Sequence, residues 1–443
     1  MKYEDNQETN VCILGLGYVG LTLATIFADV GIKVTGIDRD EILINNLNVG
    51  KPPFFEKGLV EMLSANAHLP FPPTYLVGLK EPCATIYIIT VGTPIMRPSL
   101  EPNLDYVRNA TKEVAAVLRA GDLVILRSTV PIGVTRNVVL PALESISGLV
   151  AGKGFDLAFC PERTIEGKAL TELRELPQIV GGYNKSSTER AANLFRNTTQ
   201  TVIDVGSIEA SEMLKILDNT YRDLMFAYSN QMALLCANLG LDMTPIVRAA
   251  NQGYNRNRIP VPSPGVGGAC LSKDPYILAS VCRQAGIDPE LFILGRQINE
   301  FMPLHAVQKV EVELEKLGKP LKDSTILVLG FAFKGQPETS DMRDSPTIDL
   351  VNYLKQKGSR VIAHDPLVSR EEIKALGVEV TTIENGFAHA DAVIIMLNHT
   401  VYQDLDMHYL IEKAKKPLVL MDGWHLYSKT DMDRLSGLVY RSI

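Results

Sequence analysis

The stretch from Asn10 to Asp38 constrains the fold more than any other part of the chain. Asn10 to Leu14 predicts a buried strand, Gly15-Leu16-Gly17-Tyr18-Val19-Gly20 opens a helical pattern, and Lys33 to Ile37 is a second strand-like run ending in Asp38. This is the strand–GxGxxG–helix–strand–acid order of a dinucleotide-binding unit, with the acid 23 residues after the first glycine. The glycines permit a tight turn and let a pyrophosphate approach the helix N-terminus. Asp38 would accept hydrogen bonds from ribose hydroxyls and repel a 2′-phosphate, so NAD is expected rather than NADP.

Further strand-like runs follow at Thr85 to Val91, Leu123 to Leu126, Asp156 to Phe159 and Thr201 to Val205, with helical patterns between several of them. The alternation predicts a mainly parallel sheet with helices on both faces. Two strand ends carry small polar residues where such a sheet places its ligand, Gly92-Thr93-Pro94 and Ser128-Thr129-Val130-Pro131. From Ser207 to Gln252 Pro245 is the lone proline, and the spacing predicts one long helix from Ala210 to about Leu239. Its face with Met213, Leu217, Leu224 and Tyr228 is read as core or interface. Ser324 to Phe333 begins a second α/β unit, continued at Arg360 to Ala363, Ala392 to Met396 and Leu418 to Met421. Its first turn, Gly330 to Gly335, lacks the glycine fingerprint and so suits something other than a whole dinucleotide. The expected fold is therefore α/β, with two Rossmann-like doubly wound domains joined by a central helical domain. The boundaries are a loose tail over 1–9, an NAD-binding domain over 10–206, a helical domain over 207–316 and a second Rossmann-like domain over 317–443.

Bulk properties exclude several function classes. Formal net charge is −7, so no global basic field invites nucleic acid or an anionic membrane. Apolar runs stay too short for a spanning helix, and Met1 to Asn10 is polar rather than signal-like. The six cysteines (12, 83, 160, 236, 270, 282) form no CxxC pair, which argues against a metal site or a disulfide framework and fits a reducing cytoplasm. Among residues 1–300 the one histidine is His68, so chemistry there relies on lysine, cysteine or carboxylate groups.

Cys270 stands in Gly265-Val266-Gly267-Gly268-Ala269-Cys270-Leu271-Ser272-Lys273-Asp274. If a helix starts there, Lys273 and Asp274 lie on its side, and a helix start beside a lysine favours the thiolate. The competing reading is a small apolar cysteine in a glycine-rich loop. Lys215 with Asn219 and Glu162 with Glu166 are two further pairs at four-residue spacing; each has a plain reading as solvated surface or exposed loop. Together these groups are the kit for oxidising an alcohol beyond the aldehyde. A lysine and an amide steady an alkoxide, a carboxylate with water takes its proton, a thiol traps the aldehyde, and a glutamate activates water on the resulting thioester.

With these motifs in order, the chain resembles the UDP-glucose/GDP-mannose dehydrogenase family, the nucleotide-sugar 6-dehydrogenases, over nearly all of residues 10 to 435. The carrying segments are 15–20, Ser-Thr-Val-Pro-Ile-Gly (128–133), Cys-Pro-Glu-Arg (160–163), Lys215 with Asn219, Gly-Val-Gly-Gly-Ala-Cys (265–270) with Asp274, and Phe-Lys (333–334). The resemblance implies two successive NAD-linked oxidations of a sugar C6 hydroxyl. It implies Cys270 as nucleophile, Lys215, Asn219 and Asp274 as alkoxide and proton-relay group, and Glu162 with Thr129 nearby for thioester hydrolysis. NAD contacts would come from Gly15, Gly17, Tyr18, Val19, Gly20, Asp38, Thr93, Thr129, Lys273 and Arg343. The sugar nucleotide would be held by Arg163, Thr164, Lys215, Asn219, Arg222, Tyr254, Arg256, Gly267, Phe333 and Lys334. Pro-Glu-Arg-Thr in place of Pro-Glu-Phe-Leu is similar to the branch that oxidises UDP-N-acetylhexosamines for surface polysaccharide, with UDP-glucose as the alternative. Three positions depart from that pattern: Ala269 where a histidine is often found, a loop at Gly335 to Asp341 about two residues long in excess, and Trp424 where an arginine is common. A homodimer or higher oligomer through the long helix is implied. A β-hydroxyacid dehydrogenase would need neither Cys270 nor the second Rossmann-like domain, and an inactive nucleotide-sugar-binding regulator would not need all five catalytic groups.

Overall fold

The computed structural model describes residues 9–443, so the tail expected at the N-terminus lies outside it save for Thr9. By compactness the chain divides into two units, one running to Asp218 and including Tyr276–Pro289, the other made of Asn219–Pro275 and Glu290–Ile443. The helical middle of the sequence is thus shared between the two.

In the first unit the strands are β1 (Asn10–Leu14), β2 (Lys33–Asp38), β3 (Thr74–Val77), β4 (Ile86–Ile89), β5 (Ile95–Met96), β6 (Glu101–Pro102), β7 (Leu123–Leu126), β8 (Asp156–Phe159), β9 (Gln178–Gly182) and β10 (Val202–Asp204). Eight of them form one sheet in the order β10-β9-β8-β7-β4-β1-β2-β3, and β5 pairs with β6 in a separate hairpin. Within the eight-stranded sheet pairing is parallel except between β8 and β9. The central strands read as continuous apolar runs because helices cover both faces. Leu23, Phe27 and Phe195 pack on one side, while Leu14, Tyr87 and Phe159 belong to the core on the other. β1 lies between β2 and β4, so the strand order reverses there, the place where an open α/β sheet binds its ligand in a crevice beyond the C-terminal ends of its strands.

The helix Ile208–Asn238 begins in the first unit and continues into the second, within two residues of the span its proline-free sequence predicts. Met213, Leu217 and Tyr228, read from sequence as core or interface, are exposed along it.

The second unit holds β11 (Thr325–Leu329), β12 (Arg360–His364), β13 (Glu379–Val380), β14 (Ala392–Ile395), β15 (Leu418–Asp422) and β16 (Leu438–Ser442). They form a parallel sheet ordered β13-β12-β11-β14-β15-β16. The helix Glu290–Lys316 lays Met302, Ala306 and Val310 against it. The echo of the first unit extends to one carboxylate. Asp365, just past β12, accepts from the Phe331 N–H at 2.6 Å, as Asp38 accepts from the Leu16 N–H at 2.7 Å. The turn itself differs at the next position, where the buried Ala332 stands in place of Gly17.

Candidate active site

The helix Tyr18–Asp29 has no side-chain cap and no acidic residue in its first turn, so its positive end is left for an anion. A Cβ at Gly17 would project into open space, whereas one at Gly20 would stand 1.9 Å from the Gly15 carbonyl oxygen. The turn is therefore open on its outer side and packed tightly against the strand on its inner side. The Thr90 hydroxyl lies 2.7 Å from that same carbonyl. Asp38 holds the turn through Leu16 and receives the Asp40 N–H at 3.1 Å, at the end of β2 where a ribose would arrive. These groups fit the pyrophosphate and adenosine ribose of NAD. Thr93, buried beyond β4, donates to the Thr129 carbonyl at 2.6 Å and joins the two strand ends flanking the crevice.

Glu162 is buried with all its lone pairs in use. Oε1 accepts from the Arg163 and Thr164 N–H groups, each at 2.7 Å, and Oε2 accepts from Arg127 at 3.2 and 2.6 Å. Burial alone would raise its pKa, but the Arg127 charge, the Thr164 N–H and the Lys215 charge outweigh it and hold the carboxyl below its usual range. Acting as base in hydrolysis would need one of these donors to move away. Arg127 also donates to the Cys160 carbonyl and to Gln178, each at 3.0 Å, and is itself buried. Burial pushes the Cys160 thiol up to about 12, which makes it inert. Arg163 pairs with Asp218 at 3.0 Å and is exposed, while Lys215 is buried on the long helix.

Three residues of this unit escaped the sequence reading. Arg127 ends an apolar strand, and a cation at that place is the signal that was there to find. Glu212, one turn before Lys215 and fully buried, accepts from the Gly133 and Thr135 N–H groups and from the Thr135 hydroxyl, tying the helix to the loop after Thr129. Glu56 accepts from the Tyr18 hydroxyl, from the Gly167 N–H at 2.6 Å and from the Ala169 N–H at 2.8 Å. It fastens the glycine turn to the segment after Glu162. Neither glutamate carries a local pattern, because its partners lie far away in sequence.

In the second unit Cys270 is exposed on a run of turns, and the helix begins at Asp274 rather than at the cysteine. The Cys270 carbonyl accepts the Asp274 N–H at 2.9 Å, so the thiol residue precedes the helix by one turn. Asp274 is fully buried; it accepts from Asn219 at 2.5 Å and from the Lys273 ammonium at 2.6 Å. Lys273, expected near NAD, gives one of its three donors to this carboxylate. The glycine stretch is anchored by a buried polar network. Arg296 pairs with Asp223 at 2.6 Å and donates to the Val266 carbonyl at 3.1 Å. Asn299 bridges Asp223 and Asn230, and Asn230 receives the Ser263 N–H at 2.9 Å. Of the residues assigned to the sugar nucleotide, Arg222, Tyr254 and Arg256 are exposed, and the Arg256 guanidinium stands 5.9 Å from the Tyr254 ring centre. Lys334 stands 5.4 Å from the Phe333 ring centre. Arg343 is exposed and bound by Asp341 at 2.5 Å, a partner supplied by the long loop. The Trp424 indole N–H donates to the Met396 carbonyl at 2.8 Å, which fixes the ring at the C-terminal ends of β14 and β15.

Comparison with known proteins agrees with this layout. The chain matches the family models of the UDP-glucose/GDP-mannose dehydrogenase family: the NAD binding domain over residues 9–199, the central domain over 209–301 and the UDP binding domain over 327–429. It is 32% identical over 405 residues to the UDP-N-acetyl-D-mannosamine dehydrogenase of Campylobacter jejuni, covering 89% of this chain and 96% of that one. Its fold is similar to a solved UDP-D-ManNAc dehydrogenase of Pyrococcus horikoshii, with TM-score 0.88, 29% identity and coverage of 98% and 99%. It is also similar to a UDP-glucose dehydrogenase of Pyrobaculum islandicum, with TM-score 0.84, 26% identity and coverage of 100% and 99%. The glycine turn with Asp38, the two Rossmann-like sheets and the matched domains lead to one conclusion: this chain belongs to the UDP-glucose/GDP-mannose dehydrogenase family and is an NAD-dependent nucleotide-sugar dehydrogenase.

Proposed function

We propose that the chain oxidises the C6 hydroxyl of a UDP-N-acetylhexosamine to the carboxylate in two NAD-linked steps through a thioester on Cys270. The observation that carries this reading is the buried Asp274, bound to Asn219 and Lys273 and closing the turn on the Cys270 carbonyl. It sets a relay carboxylate one turn from a thiol. The similarity to mannosamine-derivative dehydrogenases, together with Arg163 and Thr164 after Glu162, supports the acetamido sugar over UDP-glucose.

NAD, when bound, accepts the hydride in each oxidation. Lys215 and Asn219 steady the alkoxide oxygen, and Asp274 relays its proton. The Cys270 sulfur then adds to the aldehyde carbon to give a thiohemiacetal, whose oxidation leaves a thioester. Water adds to that carbonyl, the carbon–sulfur bond breaks, and Cys270 recovers its thiol as the uronate forms. Glu162 holds its surroundings as an anion and takes part in hydrolysis once a donor releases it. Gly15, Gly17, Tyr18, Val19, Gly20, Asp38, Thr93, Thr129, Lys273 and Arg343 hold NAD. Arg222, Tyr254, Arg256, Gly267, Phe333 and Lys334 hold the UDP-sugar. We further assign the product to surface polysaccharide synthesis in the cytoplasm. A homodimer would cover the exposed Leu217, Tyr221 and Tyr228 of the long helix. No helix among the described residues is long and apolar enough to cross a membrane.

The test is NADH yield per limiting UDP-ManNAc, UDP-GlcNAc, UDP-GalNAc and UDP-glucose, for wild type and Cys270→Ala. About two NADH per sugar with one acetamido substrate, lost in the variant, is the expected result. One NADH per sugar, or indifference to the substitution, overturns the thioester; preference for UDP-glucose overturns the sugar assignment.

A further inference from the structure

Asp344 touches the Cys270 turn at two points placed symmetrically about the thiol. Its carbonyl oxygen accepts the Gly268 N–H at 3.1 Å, two residues before the cysteine. Its Oδ2 stands 2.9 Å from the hydroxyl of Ser272, two residues after it. That hydroxyl also lies 2.8 Å from the Gly268 carbonyl, but the charged oxygen is the stronger acceptor for its single proton. Asp344 reaches both points from a left-handed backbone, φ +50°, which a non-glycine residue adopts at a cost and keeps because its surroundings hold it there. A Cβ on Gly267 would come within 2.1 Å of the Asp344 carbonyl, so the two segments meet backbone to backbone.

The segment that supplies Asp344 is tied into a closed loop. The Phe333 N–H donates to the Asp341 carbonyl at 2.8 Å, and the Ser345 hydroxyl donates to the Ala332 carbonyl at 2.9 Å. Within it lie Lys334 and Arg343, the cations assigned above to nucleotide and cofactor.

We propose that Asp344 is a positioning residue that clamps the Cys270 turn and makes the place of the thiol depend on the nucleotide-binding loop. The proposal rests on Cys270 being the nucleophile. Its consequence is selective, because the first oxidation, alcohol to aldehyde, does not use the thiol, and the second does. A loosened clamp lets the aldehyde leave after one hydride has been transferred, with one NADH formed for each alcohol oxidised.

The test measures NADH per limiting sugar, aldehyde released into a carbonyl-trapping reagent, and the rate of iodoacetamide alkylation of Cys270 in the full-length protein. For Asp344→Ala and Ser272→Ala the yield should fall from two NADH towards one and trapped aldehyde should appear, while KM for the UDP-sugar stays near wild type. The aldehyde oxidation should slow by about a hundredfold in Asp344→Ala, as expected for a misplaced reacting group. Asp344→Asn, which tolerates the left-handed backbone and keeps an oxygen acceptor, should restore a yield of two. A merely structural role would instead lower both oxidations together and leave the yield at two. Should Asp344→Ala fail to fold, Ser272→Ala alone decides. If Cys270→Ala abolishes the second NADH while the Asp344 and Ser272 variants keep it with unchanged alkylation, the clamp is wrong and the nucleophile stands. If Cys270→Ala itself yields two NADH, the underlying reading has failed.

Discussion

Removing the Arg127 guanidinium should be among the most damaging single changes to the first unit. Arg127→Met keeps much of the buried volume but strips two donors from Glu162 Oε2 and one each from the Cys160 carbonyl and Gln178. Both partners of the pair are almost wholly shielded, with side-chain exposures of 1% and 9%. Breaking such a pair from one side costs roughly 3–5 kcal/mol, because the remaining charge stays buried. That is a large share of the roughly 5–15 kcal/mol that holds a domain together. The sign with pH follows from the depressed Glu162 pKa. In the wild type the pair's contribution is complete above the unfolded carboxyl value, about 4.3, and is lost as pH falls through the lower folded value. In the variant burial is less opposed, so the folded pKa moves up. The deficit relative to wild type therefore grows as pH rises from the wild-type folded pKa to the variant's, and is largest at neutral pH. The chain's one tryptophan, Trp424, lies in the other unit, so fluorescence would report the wrong transition. Pulse alkylation of the buried Cys160 against urea, read by mass spectrometry at pH 5 and pH 7.5, reports the right one. A deficit below about 1 kcal/mol at pH 7.5, the range of an exposed pair, would refute the reasoning. So would a deficit that grew on acidification.

Two further outcomes follow from the same geometry. Gly20→Ala pushes a methyl group to 1.9 Å from the Gly15 carbonyl, so KM for NAD should rise at least about tenfold, some 1.4 kcal/mol; steady-state NADH formation with unchanged NAD dependence would contradict it. Glu56→Ala orphans the Ala169 N–H and the Tyr18 O–H and leaves the Gly167 N–H only its longer bond to the Tyr18 oxygen at 3.1 Å, at about 1–3 kcal/mol for each group left buried without a partner. It should weaken NAD binding and Cys160 protection together, and a titration of either that matched wild type would show that the fastening is dispensable.

The dinucleotide unit was legible because all of its determinants are local. Strand, glycine turn, helix and acid follow one another within thirty residues, and each depends on backbone conformation or on a neighbour in sequence. The long helix was legible for the same reason, since 3.6-residue periodicity without proline leaves little choice. β9 was missed because Gln178–Gly182 ends in a glycine pair that reads as a turn, and its antiparallel pairing with β8 is decided by register between distant segments. The condition that a helix starts at Cys270 is not met, since turns occupy 269–273 and the first helical residue is Asp274.

Residue types by themselves suggested the proposed chemistry: a thiol, a lysine, an amide and carboxylates, in an order that few families share. Tertiary structure decided what those groups can do. Burial and four donors turn Glu162 from a generic base into a held anion, Asp274 draws Lys273 and Asn219 to itself, and Asp344 reaches the cysteine turn from some seventy positions away. Charge state, orientation and hydrogen-bond saturation depend on which distant groups share a low-dielectric space, and no local pattern in the sequence encodes that neighbourhood.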